Sequence, residues 1–425
     1  MNDHRGTAVP GTEARNDSPE HPHASNRTDI PVNATPPAAP IFIHSLWRAG
    51  STYMFHAFRR SAAGYWAYQE PVHEAVLQAG PNLEWLADVK SGHPQVMAMR
   101  HPRLDKPYFD ELIQVSDAWR GRLLKRIIYD DYFGTADVAP LAHYLQALID
   151  AARGRAVFQE CRSANRIGAI KGALGGVHLY LWRNPWDQWW SFKVNDYFDA
   201  VCQMILGATP APPEILLLRQ EIGYVEFHRE TIGEEFTHFQ QRPVASRDSY
   251  LVFYMLWCLA MLEARQHADL TISMDRLSES PGYRDQVGTR LAALGIEGVG
   301  FSDCTRPRAF YDQTDRAFFA AIEERAHALL LAAGHAPRTI ATIARLRAEL
   351  GAAPMRTGAS QLKADLRRVR DAALAHRDAN AERLRHLHQA LDTVRAQLDQ
   401  ATGEIAALRA PPPPAPAEPA PPDPP

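Results

Sequence analysis

Short apolar runs that break into polar loops and then into helical stretches recur through the middle of this chain. Ile41 to Ser45 reads as a buried strand, and Thr52 to Arg60 follows as a helix. Leu141 to Arg153 predicts a helix and Ala156 to Cys161 a short strand. Val177 to Trp182 predicts another strand, continued by a helix over Trp186 to Phe198. Leu251 to His267 is a long apolar helix, and Leu270 to Met274 is strand-like again. Strands alternating with helices imply a parallel sheet with crossover connections. The expected class is α/β, a parallel β-sheet flanked by helices, within a globular domain over residues 40–338.

The two ends follow other patterns. Residues 1–39 are rich in Pro, Asn, Asp, His, Ala and Thr with almost no large apolar side chains, a composition that cannot offset the entropy of ordering. Residues 339–359 are expected to link the domain to a tail over 360–409, which contains no proline between Ser360 and Leu408. In that tail Leu362, Leu366, Val369 and Ala373 form one run at alternating three and four spacings. Leu384, Leu387, Leu391, Val394, Leu398, Ala401, Ile405 and Leu408 form a second. Asn380 sits at a seam position just before an insertion of four, a stutter. Sustained heptads predict a helical coiled coil and, through it, a homo-oligomer. The alternative is one amphipathic helix folded onto the domain. Residues 410–425 are Pro-rich and read as an extended, mobile end.

Composition narrows the function classes. The 425 residues carry 46 Lys and Arg against 49 Asp and Glu, a formal net charge of −3. That balance argues against nucleic acid or a membrane surface as general partners, while leaving room for a local basic pocket. Cys161, Cys202, Cys258 and Cys304 stand far apart without a CxxC pair, so they read as reduced buried thiols. The longest apolar stretch, Leu251 to Leu262, falls short of the ~20 residues a membrane span needs. The polar N-terminus lacks a signal-peptide core. A soluble, cytoplasmic protein is the expectation.

The candidate chemistry lies in two loops. After the first strand come Arg48, Ala49, Gly50, Ser51 and Thr52. A strand, tight loop and helix start aim backbone N–H groups at one point, which suits a phosphate or sulfate. Gly50 permits close approach, Ser51 and Thr52 add hydroxyls and can cap the helix, and Arg48 supplies a planar fork of donors. The G-x-x-x-x-G-K-[ST] pattern of nucleoside triphosphatases is absent. The plain alternative is a capped helix start with a solvent-facing arginine. After the strand ending at Trp182 come Arg183, Asn184, Pro185, Trp186 and Asp187, with Ser191 further on. Pro185 suits a helix start, and Arg183 and Ser191 lie just over two helical turns apart. Both could face one phosphate monoester, through charge and one directional hydrogen bond. Alternatively Arg183 pairs with Asp187 and Ser191 is neutral. Trp182, Trp186, Trp189 and Trp190 read as core and wall.

Together these segments resemble the sulfotransferase family that uses 3′-phosphoadenosine 5′-phosphosulfate. Its first motif, [KR]-[ST]-G-[ST]-T, matches Arg48-Ala49-Gly50-Ser51-Thr52, with Ala49 where a hydroxyl residue is common and Trp47 where proline often stands. Arginine at the first position is similar to the protein-tyrosine branch and many bacterial members. The second motif, R-[DN]-P-x-D-x-x-x-S, matches Arg183 to Ser191 without departure. The likeness covers about residues 40–335. It implies a P-loop-like sulfotransferase fold and 3′-phosphoadenosine 5′-phosphosulfate as co-substrate, with no metal. It puts Arg48 at the sulfuryl group and leaving phosphate, Ser51 and Thr52 on the 5′-phosphate, and Arg183 and Ser191 on the 3′-phosphate. The Met274 to Leu277 run resembles a structural segment of the family.

Sulfuryl transfer needs a base at the acceptor hydroxyl and cations where charge collects. Glu70, in the segment Tyr68 to Glu74, stands where members with a carboxylate base carry one; His73 and Glu74 are the runners-up. His44 reads as a satisfied core histidine. Arg162 is the nearby cation that would neutralise the transferring group, with a salt bridge to Glu160 or a neighbouring acid as the plainer role. The acceptor is expected to be a carbohydrate such as a cell-surface glycan, by analogy with bacterial members of that family. Two other functions stand beside this one: a catalytically degenerate scaffold working through its coiled coil, and a P-loop kinase or NTPase.

Overall fold

The computed structural model describes residues 38–88, 106–193, 197–242, 244–306, 311 and 313–351, and in the tail 380, 383, 386–387 and 390–403. The fold described below belongs to the unit Ala39–Pro425. Five strands form its sheet: β1 (Ile41–Ser45), β2 (Tyr65–Gln69), β3 (Arg155–Glu160), β4 (Val177–Trp182) and β5 (Leu270–Ser273). All neighbours pair in parallel, in the order β2-β3-β1-β4-β5. The expected α/β class with a parallel sheet flanked by helices is the class observed.

Burial on both faces explains why the strands read as nearly unbroken apolar runs. Ile41 and Ile43 of β1 join Val157, Leu179, Leu181 and Ile272 on one face. Helix α1 (Ser51–Arg59) covers them with Met54, Phe55 and Phe58. The other face carries an aromatic row across four strands in register: Tyr68, Phe158, Phe42 and His178. Their successive ring centroids lie 5.2, 5.0 and 4.7 Å apart, and such cross-strand pairs are the units that hold a sheet. Into this face pack α3 (Ala139–Ala151), α4 (Ile167–Leu174) and α7 (Ser246–His267); α2 (Glu74–Ala79) follows β2.

Strand order decides where loops meet. From β1 the chain passes beyond β3 to β2, whereas from β4 it passes to β5 on the opposite side. The neighbours β1 and β4 therefore send their connections in opposite directions. Their C-terminal ends open the crevice where parallel α/β sheets bind ligands. Both candidate loops leave from these two ends.

Several boundaries differ from the sequence reading. The helix expected over 186–198 is two helices, α5 (Pro185–Phe192) and α6 (Tyr197–Leu206). The stretch 339–359, expected as a linker, is helical to Gly351 as α9 (Pro337–Gly351), after α8 (Gln313–Ala332). Ile340 and Ile343 are buried, and the Arg347 guanidinium lies 3.8 Å from the Trp186 ring centroid. One turn of apolar spacing inside a charged stretch is enough to dock this helix, and it extends the fold past the expected boundary at 338. The four cysteines are free and buried. Among the described residues no helix is long and apolar enough to cross a membrane. The disorder expected for 1–39 and 410–425 and the first heptad run fall almost entirely outside the described residues.

His44 is satisfied within the core, through a chain whose polarity can be worked out. The Gly175 carbonyl only accepts, so His178 Nε2 carries the proton in their 2.8 Å contact. His178 Nδ1 then accepts from His44 Nε2 at 2.9 Å, and His44 Nδ1 accepts from the Ser163 hydroxyl at 2.6 Å. Both imidazoles are thus neutral. Burial lowers the His44 pKa well below its ordinary value and brings that of His178 down to about 4. The unfolded chain takes up these protons near pH 6.5 and the folded chain only further down, so the stabilisation is complete above 6.5 and fades as pH falls. The slope approaches ~1.4 kcal/mol per pH unit per histidine in that window. Thermal denaturation between pH 7 and pH 4.5 is expected to show a falling Tm, with a smaller fall in His178→Asn; equal slopes in both proteins would contradict this account.

Candidate active site

The loop after β1 holds a conformation that few residues adopt. Arg48 has φ 66° and Gly50 φ 102°, both left-handed. At Gly50 a Cβ would also stand 3.1 Å from Met274 Cε, so two constraints demand glycine there. Gly50 is the N-cap of α1 and no side chain caps the helix; the capping expected of Ser51 and Thr52 is not made. The first-turn N–H groups of an uncapped helix need a partner from outside it. Ser51 is buried with its Oγ 3.5 Å from Cys161 Sγ, and Thr52 is half-buried beside it.

The loop after β4 is capped and braced. Asn184 is the N-cap of α5 and accepts from the Trp186 N–H at 3.1 Å, with Pro185 in the first turn. Asp187 does not take Arg183 as its ion-pair partner: it accepts from Tyr311 at 2.6 Å and pairs with Arg306 at 3.2 Å. Asp275, just after β5, accepts from the Asn184 N–H at 2.5 Å, pairs with Arg306 and lies 3.9 Å from Arg183 Nε. Trp182, Trp186 and Trp189 are buried as core, and Trp190 is exposed.

These two loops touch. Arg48 Nε donates to Ser191 Oγ at 2.9 Å, and Arg183 Nη1 donates to the Arg48 carbonyl at 3.3 Å. Gln188 Nε2 donates to the Trp47 carbonyl at 2.7 Å. Arg48, Ala49, Gly50, Ser51, Thr52, Arg183 and Ser191 thus gather at the crevice between β1 and β4. Two guanidinium groups, a serine hydroxyl and an uncapped helix start suit an anion rich in oxygen acceptors. Burial lowers the Arg183 pKa, with Asp187 opposing that shift.

Beside this crevice, at the ends of β2 and β3, lies a second cluster. Arg162 is wholly buried. Its Nη1 donates to Glu70 at 2.9 Å, its Nη2 to Glu74 at 2.6 Å and Tyr197 at 2.9 Å, and its Nε to Tyr129 at 3.1 Å. Glu160 lies 3.6 Å from Nη1 and accepts from the Arg162 and Val72 N–H groups. Arg162 is therefore a holder of carboxylates, the plainer of its two expected roles, and does not face a cleft as a free cation. Burial opposes its charge, but Glu74, Tyr129, Tyr197 and Glu70 outweigh that and raise its pKa well above the ordinary value. Burial pushes Glu160 upward.

Glu70 ends β2 at φ 41°, a strained conformation for a residue with a side chain. Its backbone is fixed by its N–H to Gln159 at 2.7 Å and by the His73 N–H on its carbonyl at 3.1 Å. Tyr108 donates to its Oε1 at 2.5 Å. His73 is the N-cap of α2, its Nδ1 accepting from the Ala75 N–H at 3.0 Å, which directs the other ring nitrogen toward Glu70 at 3.8 Å. Tyr129 and Tyr197 both donate to Glu74. The sequence reading missed Tyr108, Tyr129 and Tyr197 and the brace of Asp275, Arg306 and Tyr311; no local spacing marks any of them. The two clusters connect through Trp47, whose ring centroid lies 5.9 Å from the Arg162 guanidinium, and through Cys161, which touches Ser51. Burial first, and then Glu70, push the Cys161 thiol up to about 12.

Comparison with protein-family models, curated proteins and solved structures finds no match for this chain.

Removing one partner from a buried ion cluster leaves the others uncompensated, at a cost of about 3–5 kcal/mol. Arg162→Met is expected to lose that much in urea unfolding, whereas Glu160→Gln, which keeps a side chain of equal size and an oxygen acceptor for the Val72 and Arg162 N–H groups, costs less. Equal losses in the two variants would count against the charge argument.

Proposed function

We propose that this chain is a sulfotransferase of P-loop-like fold. It would move a sulfuryl group from 3′-phosphoadenosine 5′-phosphosulfate to a hydroxyl acceptor, with a carbohydrate as the acceptor class. One observation carries the reading. The Arg48 to Thr52 loop and the Arg183 to Ser191 segment are brought together at the β1/β4 crevice, with Arg48 on Ser191 and Arg183 on the Arg48 carbonyl. A nucleotide charged at both the 3′ and 5′ positions calls for two such loops; a nucleoside triphosphate does not.

In this reading the open N–H groups of α1, with Ser51 and Thr52, hold the 5′-phosphate. Arg48 answers the charge that collects on the bridging oxygen as it leaves. Arg183 and Ser191 hold the 3′-phosphate, and the Asp275, Arg306 and Asp187 brace keeps their loop in place. Glu70 takes the acceptor proton. It stands two strands from β1 in the sheet order, about 10 Å at ordinary strand spacing, which leaves room for the transferring group and an acceptor between them. Arg162 orients Glu70 and Glu74.

The tail supports a second proposal, that copies of this chain pair through it. Leu387, Leu391, Val394 and Leu398 are 58, 46, 59 and 64% exposed on helical residues. Their four-three-four spacing is a coiled-coil seam, and an isolated helix of that length is marginal without a partner. Residues 357–425 are thus expected to set the oligomeric state: their deletion should convert the protein to a monomer by light scattering, and an unchanged mass would overturn the pairing.

Thermal shift tests the nucleotide site. Adenosine 3′,5′-bisphosphate without Mg²⁺ is expected to stabilise the protein, by about 2.7 kcal/mol at a hundredfold excess over Kd, and ATP–Mg is not. Arg183→Ala should abolish the shift. Glu70→Gln should keep it while lowering sulfuryl transfer in a radiolabelled screen of glycans, peptides and phenols by ~10²–10⁴. Stabilisation by ATP–Mg alone would instead favour a kinase or NTPase.

A further inference from the structure

The base assigned to the acceptor already holds a hydroxyl group. Tyr108 Oη lies 2.5 Å from Glu70 Oε1 as donor, and Arg162 holds Oε2. The Tyr108 hydroxyl thus stands as an acceptor hydroxyl would stand, with its proton directed at Glu70 Oε1. Arg162 cannot yield the other oxygen readily, since it is wholly buried and bound to four side chains at once. The seat is therefore filled by a phenol of the chain itself. The Arg162 guanidinium that holds Glu70 lies 5.9 Å from the ring centroid of Trp47, the residue next to Arg48 in the first loop.

We propose that Tyr108 is itself a sulfuryl acceptor, so that the protein sulfates its own side chain when the phosphosulfate is bound. This rests on the sulfotransferase reading and extends it to a modification site. The phenolic oxygen forms the new O–S bond as the bond from sulfur to the bridging phosphate oxygen breaks. The electron pair leaves with adenosine 3′,5′-bisphosphate, and the phenolic proton passes to Glu70. The resulting neutral carboxyl group can donate back to the sulfate ester, whose single negative charge replaces that of the carboxylate beside Arg162. No other reactant is needed. Phe109, edge-on to the Tyr108 ring at 4.9 Å, and His73, edge-on to Phe109 at 5.8 Å, fix the ring in that seat.

The full chain, incubated with ³⁵S-labelled phosphosulfate and no added acceptor, is the test. Intact mass is expected to rise by one SO₃ group, and peptide fragmentation to place it on Tyr108. Tyr108→Phe should take up no label, and Glu70→Gln should take it up slower by ~10²–10⁴. Fragmentation of the wild-type protein decides the site even if a variant folds poorly. Absence of label, or label on another residue, in protein that adenosine 3′,5′-bisphosphate still stabilises overturns the self-transfer and leaves the nucleotide site standing. If that nucleotide fails to stabilise the protein, the sulfotransferase reading falls and this inference with it.

Discussion

The Arg162 guanidinium is the fixed point around which the region at the ends of β2 and β3 is built. Glu70 comes from the end of β2, Glu74 from the start of α2 and Glu160 from the end of β3, and all three turn toward this one group. Carboxylates at such depth survive only with a cation and a full set of hydrogen bonds. The arrangement also explains why Glu70 tolerates a left-handed backbone. Its side chain and its backbone are each held from two directions, so the strain is distributed into contacts that would otherwise be lost. A cluster of this kind contributes less to net stability than to placement: it allows few geometries, and the chain around it is forced to comply.

The two loops after β1 and β4 depend on a different constraint, the order of the strands. Arg48 and Arg183 are 135 residues apart and meet because β1 and β4 are neighbours in a parallel sheet. The aromatic row across β2, β3, β1 and β4 keeps those strands in register, and register fixes which residue ends each strand. Asp275 then ties the end of β5 to the loop after β4, and Arg306 and Tyr311 tie both to the segment before α8. Asp275 lies 3.9 Å from Arg183 Nε while Arg183 Nη1 donates to the Arg48 carbonyl, so this guanidinium is oriented from both sides.

What the sequence disclosed follows from which interactions are local. Strand, loop and helix units are written in consecutive residues, so β1 with α1 and β4 with α5 were legible, as were Gly50 and the proline at the head of α5. The helix expected through Phe198 stops at Phe192 and a second begins at Tyr197, because apolar periodicity alone does not mark where one helix ends. Helix α9 was read as a linker because only Ile340 and Ile343 mark its buried side. Glu70 was visible as a carboxylate after a strand, and Arg162 as a cation beside an acid. Tyr108, Tyr129 and Tyr197 were not: each is one tyrosine among fourteen in the sequence, selected for this cluster by tertiary contact alone. His44 was recognisable as a core histidine, but its partners on β4 and the β3 loop belong to the sheet order and not to its own neighbourhood.

The choice of tyrosine in that cluster has a physical reason. Three carboxylates converge on one guanidinium. Burial raises the pKa of Glu160, whose carboxylate accepts from the Val72 and Arg162 N–H groups. Glu70 and Glu74 share Arg162 and receive tyrosine hydroxyls in addition. A lysine in those places would lock the carboxylates as permanent ion pairs. A phenol satisfies the oxygen by hydrogen bonding alone and leaves the carboxylate basic.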